Sequence, residues 1–255
     1  MRIAVFSDIH ANLHALQAVW DDLERQRPDS IYCLGDLVGY GAYPNEVIDF
    51  LRQRQVPTVM GNYDEGVGFD MRECGCAYTR EDDRRRGEVS LRWTQARTGA
   101  EHKAYLQALP LQIRLEDRSP KLLLVHGSPR RVNEYVYEDR STVTQGRIAQ
   151  LAGTDVLLFG HTHYPYQKWV GSTLFVNDGS VGKPKDGDPR AGYALVELGR
   201  RPRAEFRRVA YDVEAAARAV EESGLPVEFA AQLRAGGAEV TAMDLERSSG
   251  GREPR

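Results

Sequence analysis

Short apolar runs rich in β-branched residues recur at positions 3–6, 31–34, 57–60, 122–125 and 156–159, and their length and composition suit buried strands rather than helices. Between the first two runs, Leu13, Leu16, Val19, Trp20 and Leu23 fall at helical spacing. Between the second and third, Val47, Ile48 and Leu51 do the same after Pro44-Asn45, where proline fits a first helical turn. The order β-α-β-α-β predicts a largely parallel sheet with right-handed crossovers. Positions 66–108 break the rhythm. They are charged and helix-prone over 80–92 and again over 101–109 before Pro110, and they read as a helical insertion beside a cleft. Runs at 111–115, 173–176, 193–198 and 204–211 alternate more and are separated by glycine and charged turns, which predicts antiparallel strands of a second sheet. The expectation is an α/β sandwich of two sheets with flanking helices over 1–211. Two short helices, divided at Gly224-Leu225-Pro226, pack on it within 212–245, and 246–255 form a frayed tail.

A chain of 255 residues can bury the core of one large α/β domain. With a formal net charge of -3 there is no overall electrostatic case for nucleic acid or an acidic membrane as an obligatory partner. Any anion must be recognised locally. The start of the chain lacks the form of a signal peptide, and no apolar run approaches the ~18 residues of a spanning helix, so a cytoplasmic protein is expected. Of three cysteines, Cys33 reads as core and Cys74 and Cys76 as loop thiols, with no Cys-x-x-Cys pair to suggest a zinc ribbon. Arg84-Arg85-Arg86 directly follows Glu81-Asp82-Asp83, which fits a solvated helix face better than a phosphate-binding patch.

All five strand-like runs are followed at once by side chains able to hold a metal: Asp8 and His10, then Asp36, Asn62, His126, and finally His161 with His163. Ligands of open α/β sheets bind at the carboxyl ends of strands, so these residues are expected on one edge. Four imidazoles, two carboxylates and an amide form a mixed nitrogen and oxygen set that suits manganese, iron, zinc, cobalt or nickel better than calcium or magnesium. Seven ligands are too many for one catalytic ion that must also hold water. Two ions sharing Asp36 fit the number, and Gly35, Gly39, Gly61, Gly127 and Gly160 flank the turns and allow close backbone approach.

The motifs Asp8-x-His10, Gly35-Asp36-x-x-Gly39, Gly61-Asn62-x-Asp64, His126-Gly127 and Gly160-His161-x-His163 closely resemble those of the calcineurin-like metallophosphoesterases, in particular the compact bacterial and archaeal phosphodiesterases. The resemblance covers the chain from its start to about residue 198. It implies a four-layer sandwich of two facing mixed β-sheets flanked by helices. It also implies one ion held by Asp8, His10, Asp36 and His163 and another by Asp36, Asn62, His126 and His161, with manganese the first choice. The ions, roughly 3.5–4 Å apart, would share a hydroxide aligned for attack on phosphorus. Asp36, Asn62, Tyr63 and Asp64 are the expected catalytic residues. Tyr63 departs from the pattern, because many relatives place there a histidine that helps to protonate the leaving group. A tyrosine of ordinary pKa ~10 is a poor acid at neutral pH and better suited to orient a phosphate oxygen, while Asp64 would merely cap the following segment. Asn12, Tyr63, Arg130 and Arg131 are the expected substrate contacts. The substrate would be a small phosphate diester or nucleotide. A phosphomonoesterase, a nucleotide-polyphosphate hydrolase, a non-catalytic nucleotide sensor and an interaction scaffold are the alternatives, and assembly into homo-oligomers stays open.

Overall fold

The computed structural model describes residues 1–78, 80–116 and 120–238; the expected tail at 246–255 lies outside them. In chain order the elements are β1 (Arg2–Phe6), α1 (Leu13–Gln26), β2 (Ser30–Cys33), α2 (Pro44–Gln53), α3 (Asn62–Gly68), α4 (Glu81–Arg97), α5 (Ala100–Gln107), β3 (Gln112–Leu115), β4 (Leu122–Val125), α6 (Thr142–Ala152), β5 (Val156–Phe159), β6 (Tyr166–Val170), β7 (Thr173–Asn177), β8 (Ala191–Glu197), β9 (Arg203–Val209), α7 (Val213–Ser223) and α8 (Val227–Arg234). One sheet has the order β2-β1-β8-β9, the other β3-β4-β5-β7-β6. Both are mixed: β1 runs parallel to β2 but antiparallel to β8, and β5 runs parallel to β4 and β7 while β3 and β6 are antiparallel edges.

The period of two along a strand builds the layers. Ile3 and Val5 of β1 enter the core between the sheets and meet Leu122, Leu124, Val156 and Leu158. Ala4 and Phe6 point the other way, into a core with Leu16 and Val19 of α1 and Val47 and Ile48 of α2. In the second sheet Leu123 and Val125 turn outwards to Ile148 and Ala152 of α6. The result is the expected helix-sheet-sheet-helix sandwich. Each fully buried aliphatic side chain in these cores contributes about 1.5–3 kcal/mol by leaving water.

Helix ends follow local chemistry. The Asn12 side chain accepts from Ala15 N at 3.1 Å to start α1, Asp212 accepts from Ala215 N at 2.8 Å to start α7, and Gly224 in a left-handed conformation ends α7. Beyond it Phe229, Ala230 and Leu233 of α8 share a core with Ala216, Ala217 and Val220 of α7. The three consecutive arginines of α4 pair along their own helix, Arg84 with Glu81 and Glu88, Arg85 with Asp82 and Arg86 with Asp83. Arg84 and Arg85 stand on the solvated face that the sequence indicated, whereas Arg86 is half-buried and also reaches Glu228 of α8.

Two expectations are corrected, and two elements stand where the sequence indicated none. Positions 57–60 form no strand: they touch β2 through one parallel bridge, Cys33 to Thr58, because Pro57 has no N–H and Met60 N donates instead to Pro110 O at 2.8 Å. The later alternating runs do not build a second sheet of their own. β3 and β7 join β4 and β5, whereas β8 and β9 extend the sheet of β1 and β2. Two elements, β6 and α6, were not anticipated. β6 is an edge strand on which Gln167 and Trp169 are exposed, and α6 carries only three buried side chains, Gln145, Ile148 and Ala152, so neither leaves a strong periodic trace. No helix among the described residues is long and apolar enough to cross a membrane.

Candidate metal centre

The strand ends of both sheets meet at one rim, and the loops that leave them are tied together by their backbones. Asp8 N donates to Gly35 O and His10 N to Asp36 O, each at 3.0 Å, which joins the turns after β1 and β2. Gly160 N donates to His126 O at 2.9 Å, which joins the turns after β5 and β4. The two pairs are linked across the sheets where His126 Nδ1 bonds Leu34 O at 2.7 Å and His161 N donates to Asp8 Oδ2 at 2.9 Å. The single parallel edge expected from the sequence is therefore a seam between two sheets.

All seven expected ligands are buried at this seam. Asp8, His10 and His163 bring donor atoms within 4.8 Å of one another, and so do Asp36, His126 and His161. Asp36 Oδ2 faces both groups, 3.7 Å from His10 Nε2 and 3.5 Å from His126 Nε2. Asn62 joins the second group, with Oδ1 at 3.1 Å from His126 Nε2. Asp8, His10, Asp36, His161 and His163 all have positive φ, between 48° and 67°. Half of the ten non-glycine residues with positive φ among the described residues are thus at this rim. Strain held in place by surrounding hydrogen bonds is characteristic of functional sites.

Backbone carbonyls orient three of the four imidazoles. His10 Nδ1 bonds Val38 O at 3.0 Å, His126 Nδ1 bonds Leu34 O, and His163 Nδ1 bonds Lys183 O at 2.5 Å. A carbonyl only accepts, so each Nδ1 carries a proton and each Nε2 is directed inwards. His10 Nε2 and His163 Nε2 then face each other at 3.3 Å. Burial pushes the His10 pKa down to about 3 and lowers that of His163, so two lone pairs converge there. A cation between them removes the repulsion. Asp8 Oδ1, 3.2 Å from His163 Nε2, and His161 Nε2 are buried without any hydrogen-bond partner. Orphaned acceptors of this kind, in a mixed nitrogen and oxygen set, fit divalent transition metals.

Burial opposes a charge on His126, but the adjacent Asp36 and Asp8 carboxylates push its pKa up to about 10. A metal ion that binds there must displace a proton from Nε2. At pH 8 metal loading is therefore expected to release about one proton per protein, and affinity should weaken as pH falls. Calorimetry in two buffers of different ionisation enthalpy checks this. Loading with no proton release would remove His126 from the ligand set.

The supporting shell includes residues that the sequence did not single out. A serine hydroxyl has one proton, yet Ser7 Oγ lies 2.5 Å from Asp8 Oδ2 and 2.9 Å from Asp178 Oδ1. The Ser7 hydroxyl donates to one of these carboxyl groups at a time, and burial, then the Asp8 charge, raises the Asp178 pKa well above the usual range. Asn177 Nδ2 donates to Gly160 O at 2.7 Å and steadies the turn that carries His161 and His163. The local signal was Asn177-Asp178 directly after an apolar run, the same placement as the ligands. Asp64 does more than cap. Its carboxylate accepts from Gly61 N at 2.9 Å and from Asp36 N and Leu37 N, both at 2.8 Å, so it clamps the Asp36 turn.

Asn62 Nδ2 donates to Cys74 O at 3.1 Å and lies 3.3 Å from Cys76 Sγ, which brings both loop thiols to the rim. Tyr63 is buried, and its ring lies edge-on to His10. Its hydroxyl is 3.4 Å from that of Tyr78, and burial holds its pKa well above the ordinary value. The substrate contacts expected from the sequence fare differently. Asn12 spends its side chain on capping α1 and on Gly182 O and Tyr211 Oη. Arg130 pairs with Glu134, and Arg131 is exposed. None of these three lines the cavity over the ligands, which is instead walled by Tyr40, Cys76, Tyr135, Lys183 and Lys185 beside Tyr63. Tyr135 lies against His161 at 4.0 Å between ring centroids. Burial, followed by repulsion from Lys185, lowers the Lys183 pKa to about 7.

Comparison with known proteins agrees with this geometry. A family model described as "Calcineurin-like phosphoesterase superfamily domain" matches residues 1–201. The uncharacterised protein MJ0912 of Methanocaldococcus jannaschii is 31% identical over 244 residues, covering 88% of this chain and 93% of its own length. The crystal structure of a metallophosphoesterase from Sphaerobacter thermophilus is similar with 33% identity and a TM-score of 0.75, covering 92% of this chain and 100% of that one. The fold is shared with protein PH1004 of Pyrococcus horikoshii, at 24% identity and a TM-score of 0.81 over 93% of this chain and 99% of that one.

Proposed function

The chain belongs to the calcineurin-like phosphoesterase superfamily and is a metal-dependent hydrolase of phosphate esters; from that footing we propose that its centre is dinuclear and that it acts on small phosphate diesters. The observation that carries the dinuclear reading is Asp36 Oδ2, directed at His10 on one side and His126 on the other. Asp8, His10, Asp36 and His163 would hold one ion, and Asp36, Asn62, His126 and His161 the second. Manganese is our first choice for both, as the family resemblance implies; the mixed donor set also suits iron, zinc, cobalt or nickel. When bound, a pair of divalent ions acidifies water and neutralises phosphoryl oxygens as charge develops.

The protein's own contribution is orientation. Carbonyl anchors on three imidazoles fix the direction of each Nε2. The Ser7–Asp178 chain fixes Asp8. Asp64 fixes the backbone of Asp36. Tyr63 remains protonated under physiological conditions and can donate a hydrogen bond to a phosphate oxygen, but it is too weak an acid to protonate a departing alkoxide.

Diester preference follows from that last point. With no acidic side chain at this position, esters whose leaving group departs without a proton are favoured, and this supports diesters or activated substrates over simple alkyl monoesters. The test is turnover of the manganese-loaded protein on bis(4-nitrophenyl) phosphate and on 4-nitrophenyl phosphate. A higher kcat/KM on the diester is expected, whereas equal or greater efficiency on the monoester refutes the preference and indicates a phosphomonoesterase.

A further inference from the structure

The cavity over the ligands opens into an outer cleft of about 770 Å³, counting the space open to solvent, and Tyr40, Cys76, Tyr135, Lys183 and Lys185 wall both. Two lysines therefore stand where the catalytic rim passes into a wider space. Among the described residues neither lysine forms an ion pair, although Arg86 on the same cleft is matched by Asp83 and Glu228. Lys183 places its ammonium 4.6 Å from the centre of the Tyr40 ring. Burial lowers the Lys185 pKa, which the Asp8 and Asp36 carboxylates only partly offset. Both lysines are only partly exposed, and partly buried cations without a counter-ion are costly unless a ligand provides one.

These side chains are also held in position. Lys183 N donates to Ser180 Oγ at 2.8 Å, Gly182 N donates to Asp8 O at 3.0 Å, and Lys183 O receives the His163 ring, so the segment is tied to two ligand turns. Pro184 between the lysines restricts the backbone. Gly237 packs so closely on Pro184 and Lys185 that an added Cβ would lie 2.2 Å from Pro184 O.

We propose that Lys183 and Lys185 form an anion subsite beside the metal centre, and that the preferred substrate carries a second phosphate besides the one attacked. This rests on the rim being the phosphate site. A substrate with a single phosphate is neutralised at the rim and leaves the lysines uncompensated. A second phosphate a few bonds away reaches the mouth of the outer cleft, where both ammonium groups can donate to it.

The test is calorimetric binding of adenosine bisphosphate and of the two matching adenosine monophosphates to the manganese-loaded protein, with turnover of the model diester measured separately. The bisphosphate is expected to bind about tenfold tighter or more than either monophosphate. Lys185→Met should remove that advantage, Lys185→Arg should largely keep it, and Lys168→Met, on the edge strand β6, should leave it intact. The proposal is overturned if bisphosphate and monophosphates bind equally, or if Lys183→Met and Lys185→Met weaken all three ligands by the same factor, which would place the lysines on the attacked phosphate alone. An unchanged melting temperature in the methionine variants excludes unfolding as the cause. Diester turnover without a bisphosphate advantage defeats the subsite only; a bisphosphate advantage without turnover keeps the subsite and defeats the proposed diesterase.

Discussion

Replacing Asp36 by asparagine is expected to lower kcat on the order of 10³-fold while leaving the protein folded. The amide oxygen of asparagine can still accept from Tyr63 N, which Asp36 Oδ1 does at 2.8 Å. The backbone bonds of residue 36 to Asp64 and His10 are untouched. What disappears is the negative charge between His10 Nε2 at 3.7 Å and His126 Nε2 at 3.5 Å. An uncharged amide cannot neutralise two cations at once, so metal content should fall together with turnover. Metal analysis, kcat at saturating manganese and thermal unfolding check the three parts. Wild-type turnover in Asp36→Asn, or in Asn62→Ala, would end the two-ion reading.

The second large effect is expected from one methyl group. Gly61 has φ -90° and ψ 170°, a conformation open to any residue, so its requirement for glycine is not conformational. It is spatial: a Cβ there would lie 2.2 Å from both Asp36 N and Asp36 Oδ1. Asp36 N cannot yield readily because Asp64 Oδ2 holds it at 2.8 Å. Gly61→Ala should cost about 1–3 kcal/mol through overpacking, a loss of roughly 2–10 °C in Tm for a chain of this size. It should also weaken metal binding at least about tenfold, the scale of lost supporting interactions. Gly146→Ala is the control, since nothing lies within 4 Å of a Cβ at that helical position. If Gly61→Ala binds metal and turns over like the wild type, Asp36 can move without loss and its exact position does not matter to function.

Family and centre were legible early because both are written locally. An apolar run ending in Asp, Asn or His announces itself within a handful of residues, as at Val5-Phe6-Ser7-Asp8 or Phe159-Gly160-His161. Helix α1 was equally readable, since Leu16, Val19 and Leu23 mark one buried face. Of the expected substrate contacts, Tyr63 lines the cavity whereas Asn12, Arg130 and Arg131 do not. Asn12 is near His10 in sequence, yet its amide is committed to the helix cap and to the loop at Gly182. Arg130, near His126 in sequence, is answered by Glu134 four residues later. Sequence proximity to a ligand says nothing about which way a side chain leaves the turn.

By itself, then, the sequence determined which side chains are candidate ligands, the strand–turn grammar that presents them and the alternation that buries residues on both faces of the strands. The tertiary structure decided how those pieces are shared out. Strand partners are chosen by contacts far apart in the chain, which is why the ligands come from two sheets: β8, almost at the end of the domain, pairs with β1 at its start. The same long-range closure returns the 178–185 loop to the ligand turns, setting Asp178 behind Asp8 and the two lysines beside the rim. No local pattern encodes that return, because its driving force is the burial of surfaces that meet only once both sheets have formed.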